Sequence, residues 1–184
     1  MKKALILHGT SSNSRSNWFP WLKQQLEELG WAVWVPDLPG AHNPNIKRYN
    51  QYILEHKPWE FDDETVIIGH SSGAVEALGL LQQLPNSNHI KQCILVGAFK
   101  NNLNWPNLDG LFEEPFDFRK IKKQANKFLF IHSDDDPYCP LEHAEYLAKE
   151  TGGELKVMPG QKHFSVETDP KFSTFPELLQ LVMS

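Results

Sequence analysis

Six short runs of aliphatic, β-branched and aromatic residues recur along the chain, at 3–8, 31–36, 64–69, 92–97, 127–132 and 154–158, and most are apolar at consecutive rather than alternate positions. A strand with one wet face alternates apolar and polar residues, whereas a strand covered on both faces has no need to. The pattern therefore predicts a parallel sheet packed between helices. Helical spacing fills the gaps. In 17–29 the apolar residues Trp18, Trp21, Leu22, Leu26 and Leu29 fall on one side of a helix, and helices are also expected over 72–84, 119–125, 141–151 and roughly 175–183. Gly30 and the Gly152-Gly153 pair supply stops after two of them. Strands separated by helices are βαβ units with right-handed crossovers, which makes the fold class α/β. The expected architecture is a three-layer sandwich of about six parallel strands with helices on both faces.

The 184 residues, 40% of them hydrophobic, suit one domain, taken as 1–184, with no repeat or Pro/Gly/Ser-rich linker to divide it. A net charge of −5, with no Lys or Arg run beyond two, lacks the footprint of a phosphate-backbone binder, so neither nucleic acid nor a membrane is expected as a partner. No apolar run approaches the roughly 20 residues of a membrane span. The apolar stretch Ala4-Leu5-Ile6-Leu7 after Met1-Lys2-Lys3 is too short for a signal peptide and meets His8-Gly9 with no cleavage site, so a cytoplasmic protein is expected. Cys93 and Cys139 give neither a disulfide framework nor zinc-ligand spacing and read as free thiols.

In an open parallel sheet the functional groups collect at the carboxyl ends of the strands. After the third expected strand stands Gly69-His70-Ser71-Ser72-Gly73, a G-x-S-x-G pattern leading directly into the next helix. A tight strand-to-helix turn of this kind holds a serine Oγ above the sheet, and the glycines allow strand and helix to approach where a Cβ would clash. The helix N-terminus aims its free N–H groups and positive dipole end at the same place. A serine at its ordinary pKa needs a base, and the base needs an orienting group, in the chain order Ser, acid, His for this arrangement. The fifth expected strand ends at Asp134-Asp135-Asp136-Pro137, and the sixth leads to Gly160-Gln161-Lys162-His163-Phe164. Three adjacent carboxylates compete for one imidazole. Pro137 biases the residue before it toward an extended backbone, which gives Asp136 one fixed geometry and leaves Asp134 and Asp135 to cap or solvate the turn.

With these residues in view, the chain resembles the α/β-hydrolase superfamily, specifically the small serine hydrolases similar to retinoblastoma-binding protein 9. The likeness runs through His8-Gly9-Thr10, Trp18-Phe19-Pro20-Trp21-Leu22, the Gly69-to-Ala74 elbow, Asp135-Asp136-Pro137 and His163-Phe164, nearly the whole chain. The resemblance implies an α/β-hydrolase-like fold with a minimal lid and a catalytic triad of Ser71, Asp136 and His163, the acid being the Asp directly before Pro. Binding of the retinoblastoma protein is not implied, since no L-x-C-x-E stretch occurs. The oxyanion hole is expected from the amide after the nucleophile, Ser72, and one after the first strand, Thr10, with Ser11 as the alternative.

His8, His70, His132 and His163 all stand at strand ends, yet no H-x-x-x-H or H-E-x-x-H pair occurs, so no metal and no cofactor is expected and the first three histidines are read as packing and hydrogen-bonding groups. Asp37 reads as a loop-shaping residue and Cys139 as an inert thiol. Five aromatics, Phe99, Trp105, Phe112, Phe116 and Phe118, fall where larger hydrolases insert a lid. They divide between a substrate rim and cover for the sheet, with Trp18, Phe99, Trp105 and Phe164 as the pocket candidates. The expected activity is hydrolysis of a small-molecule carboxylic ester, thioester or activated amide through an acyl-enzyme on Ser71. The alternative is a hydrolase-shaped module for protein interaction, its partner unknown.

Overall fold

Consecutive apolar residues become strands covered on both faces. In the computed structural model, which describes residues 1–85 and 89–184, they form β1 (Lys3–Leu7), β2 (Ala32–Trp34), β3 (Thr65–His70), β4 (Gln92–Val96), β5 (Phe128–His132) and β6 (Glu154–Val157). Each lies on its expected run, with ends moved by one or two residues. Neighbouring strands pair in parallel. The order across the sheet is β2-β1-β3-β4-β5-β6, so the sheet is open, with β2 and β6 at its edges.

Side chains alternate along each strand and build a core on either side. Leu5, Leu7, Ile67, Leu95 and Phe130 meet α2 (Ile46–His56), α3 (Ser72–Gln83) and α5 (Leu141–Thr151) through Tyr49, Ile53, Leu78, Leu81 and Leu147. On the other face Ala4, Ile6, Ile68, Val96 and Ile131 meet α1 (Phe19–Glu28) and α6 (Pro176–Met183) through Leu22, Leu26, Leu178 and Val182. Cutting one of these fully buried leucines to alanine costs about 2–5 kcal/mol, so the helices that frame the sheet are firmly seated. No helix among the described residues is long and apolar enough to cross a membrane.

Two helical expectations need correction. The sequence pattern assigns no helix between the second and third strands, yet α2 stands there, begun by the Asn45 side chain accepting the Arg48 N–H at 3.0 Å. Its inward stripe is the half-buried Ile46 and the buried Tyr49 and Ile53, with buried Asn50 among them, and that polar residue breaks the apolar periodicity. The helix expected over 119–125 is a single turn, α4 (Phe118–Ile121). Beyond it the chain is pulled into pairing just before β4, where Ile90 N–H donates to Gln124 O at 2.8 Å and Asn126 N–H donates to Ile90 O at 3.0 Å.

Between β4 and β5 the minimal lid consists of a 3-10 helix, Pro106–Leu111, and α4. Beneath it Val75, Phe99, Leu108, Leu111 and Cys139 form a third apolar cluster.

Candidate active site

The turn from β3 into α3 carries Ser71 at φ 56° and ψ −123°, a conformation costing an L-residue on the order of 1–3 kcal/mol. Close backbone crossings hold it there. A Cβ on Gly73 would lie 2.5 Å from the His8 carbonyl oxygen, and one on Gly69 would lie 2.5 Å from Ala74 Cα. The Ser71 N–H donates to Val96 O at 2.8 Å, tying the turn to the end of β4.

Across from it, His163 Nδ1 lies 2.7 Å from Asp136 Oδ2, both side chains being more than nine-tenths buried. The second oxygen, Asp136 Oδ1, accepts the N–H groups of Tyr138 at 2.9 Å and Cys139 at 3.0 Å. Burial works to raise the Asp136 carboxyl. The His163 hydrogen bond and charge, with the two amides, outweigh it and hold the group below its ordinary value, as a carboxylate. An ionised Asp136 accepts a hydrogen bond from Nδ1–H, which places the lone pair of the neutral ring on Nε2.

The neighbouring aspartates have partners of their own. Asp134 Oδ1 accepts Gly160 N–H at 2.9 Å, and Asp135 Oδ1 accepts Lys162 N–H at 2.8 Å and the Ser133 hydroxyl at 2.7 Å. The Ser133 and Lys162 hydrogen bonds lower the Asp135 carboxyl to about 2. Both capping residues thus grip the loop that carries His163.

The two halves meet through His70 and Gly97. His70 Nε2 donates to His163 O at 2.8 Å. Burial, then the charge of His163, pushes His70 down to about 3, so this ring is a neutral support. Gly97, at φ 62°, has no side chain where a Cβ would fall 3.2 Å from His163 Cε1. No hydrogen bond of the Ser71 hydroxyl is present among the described residues. Such bonds are commonly long in unliganded sites and tighten when substrate binds.

Thr10 Oγ1 donates to Ser72 Oγ at 2.9 Å, bringing together the two residues expected to supply oxyanion donors. The alternative donor is engaged, because Ser11 N–H donates to Ala41 O at 2.8 Å. Neither the Thr10 nor the Ser72 amide has a partner among the described residues.

Three of the four pocket candidates lie elsewhere. Trp18, Phe99 and Phe164 are 0%, 1% and 0% exposed, so they offer a ligand no surface. Trp18 Nε1 donates to Phe164 O at 3.1 Å, and both rings pack under α1 and α6 as core. Trp105 alone of the four is open to solvent; Tyr138 and Gly97, which face His163, carry no sequence pattern that marks them.

His8 and His132 are engaged with backbone groups. His8 donates from Nδ1 to Gly9 O and accepts Leu38 N–H at Nε2, and His132 Nε2 donates to Cys139 O. Asp136, Cys139 and His163 do bring ligand atoms within 4.8 Å of one another. Both Asp136 oxygens are already engaged, and burial pushes the Cys139 thiol well up, away from the thiolate a metal takes. That donor set suits a hydrogen-bonded dyad better than an ion.

The profile of the serine hydrolases matches residues 4–184. The chain belongs to the serine hydrolase family. It is 26% identical to YdeN of Bacillus subtilis (strain 168) over 100% of this chain and 95% of that protein. The crystal structure of the B. subtilis ydeN gene product matches with a TM-score of 0.89, covering 100% of this chain and 97% of that one. Identity is likewise 26% to the serine hydrolase RBBP9 of Rattus norvegicus, over 99% of this chain and 94% of that protein. An esterase of Exiguobacterium antarcticum shares the fold at a TM-score of 0.69 and 17% identity, over 100% of this chain and 92% of that one. This serine hydrolase thus has the α/β-hydrolase fold in its open, six-stranded form.

Proposed function

We propose that the chain is a metal-independent hydrolase of small carboxylic esters, thioesters or activated amides, with Ser71 as nucleophile, His163 as general base and acid, and Asp136 as the residue that orients it. The support lies in one arrangement: a serine held at φ 56° on a turn whose His70 grips the loop of His163, with the Nδ1 of that imidazole paired to a buried carboxylate at 2.7 Å. Ser71 Oγ attacks the carbonyl carbon while its proton passes to His163 Nε2. The negative oxygen that develops is met by the Thr10 and Ser72 amides, each such donor being worth about 3–4 kcal/mol of barrier. As the bond to the leaving atom breaks, His163 returns the proton to it and the acyl group stays on Ser71. Water then repeats the sequence in reverse and frees the acid. A cytoplasmic setting belongs to the same reading.

Labelling with a fluorophosphonate, run beside turnover of p-nitrophenyl esters and aminoacyl aryl amides, tests this. Covalent labelling at Ser71 and turnover of at least one series are expected. A well-folded preparation that is neither labelled nor active would return the chain to the protein-interaction reading.

A further inference from the structure

The proposed triad leaves the most exposed aromatic among the described residues, Trp105, without a role. Trp105 is 44% exposed, yet the segment presenting it is built with care. Leu103 and Asn104 just before it both have positive φ, at 54° and 60°, where side chains are rarely tolerated. Side chains stabilise that shape. Asn101 Oδ1 accepts Leu103 N–H at 3.0 Å, Asn102 Oδ1 accepts Asn104 N–H at 3.1 Å, and Asn102 Nδ2 donates to Asp109 Oδ1 at 2.6 Å. Trp105 N–H donates to Asn102 O at 2.8 Å.

The Trp105 ring so placed meets Tyr138 edge-on, with centroids 5.9 Å apart and planes at 65°. Tyr138 in turn stands perpendicular to the His163 imidazole, at 5.0 Å and 88°. Its hydroxyl donates to Glu167 Oε1 at 3.2 Å and its N–H to Asp136 Oδ1, so the ring is fixed at both ends. A continuous aromatic wall runs from the base to solvent.

We infer that the Trp105–Tyr138 wall is the leaving-group subsite, selecting esters or amides whose alcohol or amine is a flat aromatic group; this rests on the serine hydrolase reading above. When the tetrahedral adduct collapses, the bond from the carbonyl carbon to the leaving oxygen or nitrogen breaks. Its electron pair goes to that atom, which takes the proton held on His163. The leaving atom must therefore lie within hydrogen-bond reach of His163, and its substituent extends beside the rings packed on that imidazole. Once the leaving group departs, the wall faces only water. Trp105 thus acts in acylation and not in deacylation.

Phenyl acetate and hexafluoroisopropyl acetate separate these halves, because they share an acyl group and have leaving groups of similar basicity but different shape. Trp105→Ala is expected to lower kcat/KM about tenfold for the phenyl ester and less than about twofold for the fluoroalkyl ester. Hydrolysis of the common acetyl-enzyme should be unchanged, and Trp105→Phe should retain most of the phenyl preference. Equal losses on both esters, or slower acetyl-enzyme hydrolysis, would overturn the assignment. Fluorophosphonate labelling of the wild type and of Trp105→Ala keeps the two readings apart. If both proteins are labelled and the phenyl preference persists in the variant, the subsite is wrong and the nucleophile stands; if the wild type is not labelled, both fall.

Discussion

At the Ser71 turn the chain is fixed by how closely backbones cross, with Gly69 and Gly73 set where any Cβ would strike a neighbouring main chain. At the His163 loop it is fixed by carboxylates, Asp134, Asp135 and Asp136 reaching in turn to Gly160, Lys162 and His163. The first region is held by volume. The second is held by charge-assisted hydrogen bonds and depends on the ionisation of its acids. A side-chain hydroxyl can therefore be removed from the elbow without loosening it, whereas every acid removed from the corner changes how the base is aimed.

Ser71→Ala breaks this comparison most sharply. Esterase turnover should fall on the order of 10³-fold or more with labelling abolished, while Tm changes little, since the hydroxyl has no hydrogen bond within the described residues to lose. A pure variant with more than a tenth of wild-type activity would remove Ser71 from the reaction. Next comes the corner. Asp136→Asn should lower kcat by about 10² to 10⁴ by favouring the wrong imidazole tautomer, while Asp134→Asn and Asp135→Asn should each cost less than about tenfold. Steady-state kinetics of the three single variants decides which acid orients the base.

Gly73→Ala probes the elbow from the other side. With a Cβ 2.5 Å from the His8 carbonyl oxygen, backbone must move, and Tm should drop by roughly 5–10 °C in a thermal melt. An unchanged melt would mean that the crossing is looser than its geometry implies.

The smallest effect concerns Glu76, one turn into α3, whose carboxyl is fully buried with neither oxygen partnered among the described residues. Burial raises its pKa well above the ordinary 4.5, so the folded chain retains a proton that the unfolded chain gives up. Below about 4.5 both states are protonated and nothing is lost; above it stability falls as pH rises. Glu76→Gln should therefore gain Tm relative to the wild type as pH climbs from 4 to 8. A difference in Tm that stays constant over that range would show the carboxyl to be ionised at no cost.

The sheet was legible in the sequence because strands covered on both faces leave consecutive apolar residues, as in β3 and β5. Helix α2 was not, because Asn50 occupies its buried stripe, although Asn45 three residues before Arg48 offered a cap signal. At the candidate site, chain order and turn chemistry single out Ser71, Asp136 and His163; the structure brings Asp136 and His163 into contact, and the roles of the three belong to the proposal. The pocket was read less well. Phe164 adjoins His163 and Phe99 follows the end of β4, but an aromatic so placed serves the core as readily as a substrate, and only burial tells them apart. Gly97 and Tyr138 gave no pattern at all, because their importance lies in which ring they face across the fold.

The tandem aspartates also settle what can move. Because consecutive residues 134, 135 and 136 are stapled to 160, 162 and 163, the acid and the base are parts of one small rigid body. Any breathing of that loop carries the imidazole and its carboxylate together. The 2.7 Å bond within the pair is then the stiff coordinate of the site. The gap from His163 to the Ser71 hydroxyl, bridged by no hydrogen bond within the described residues, is the soft one, and under the proposed mechanism it is across that gap that an arriving substrate does its work.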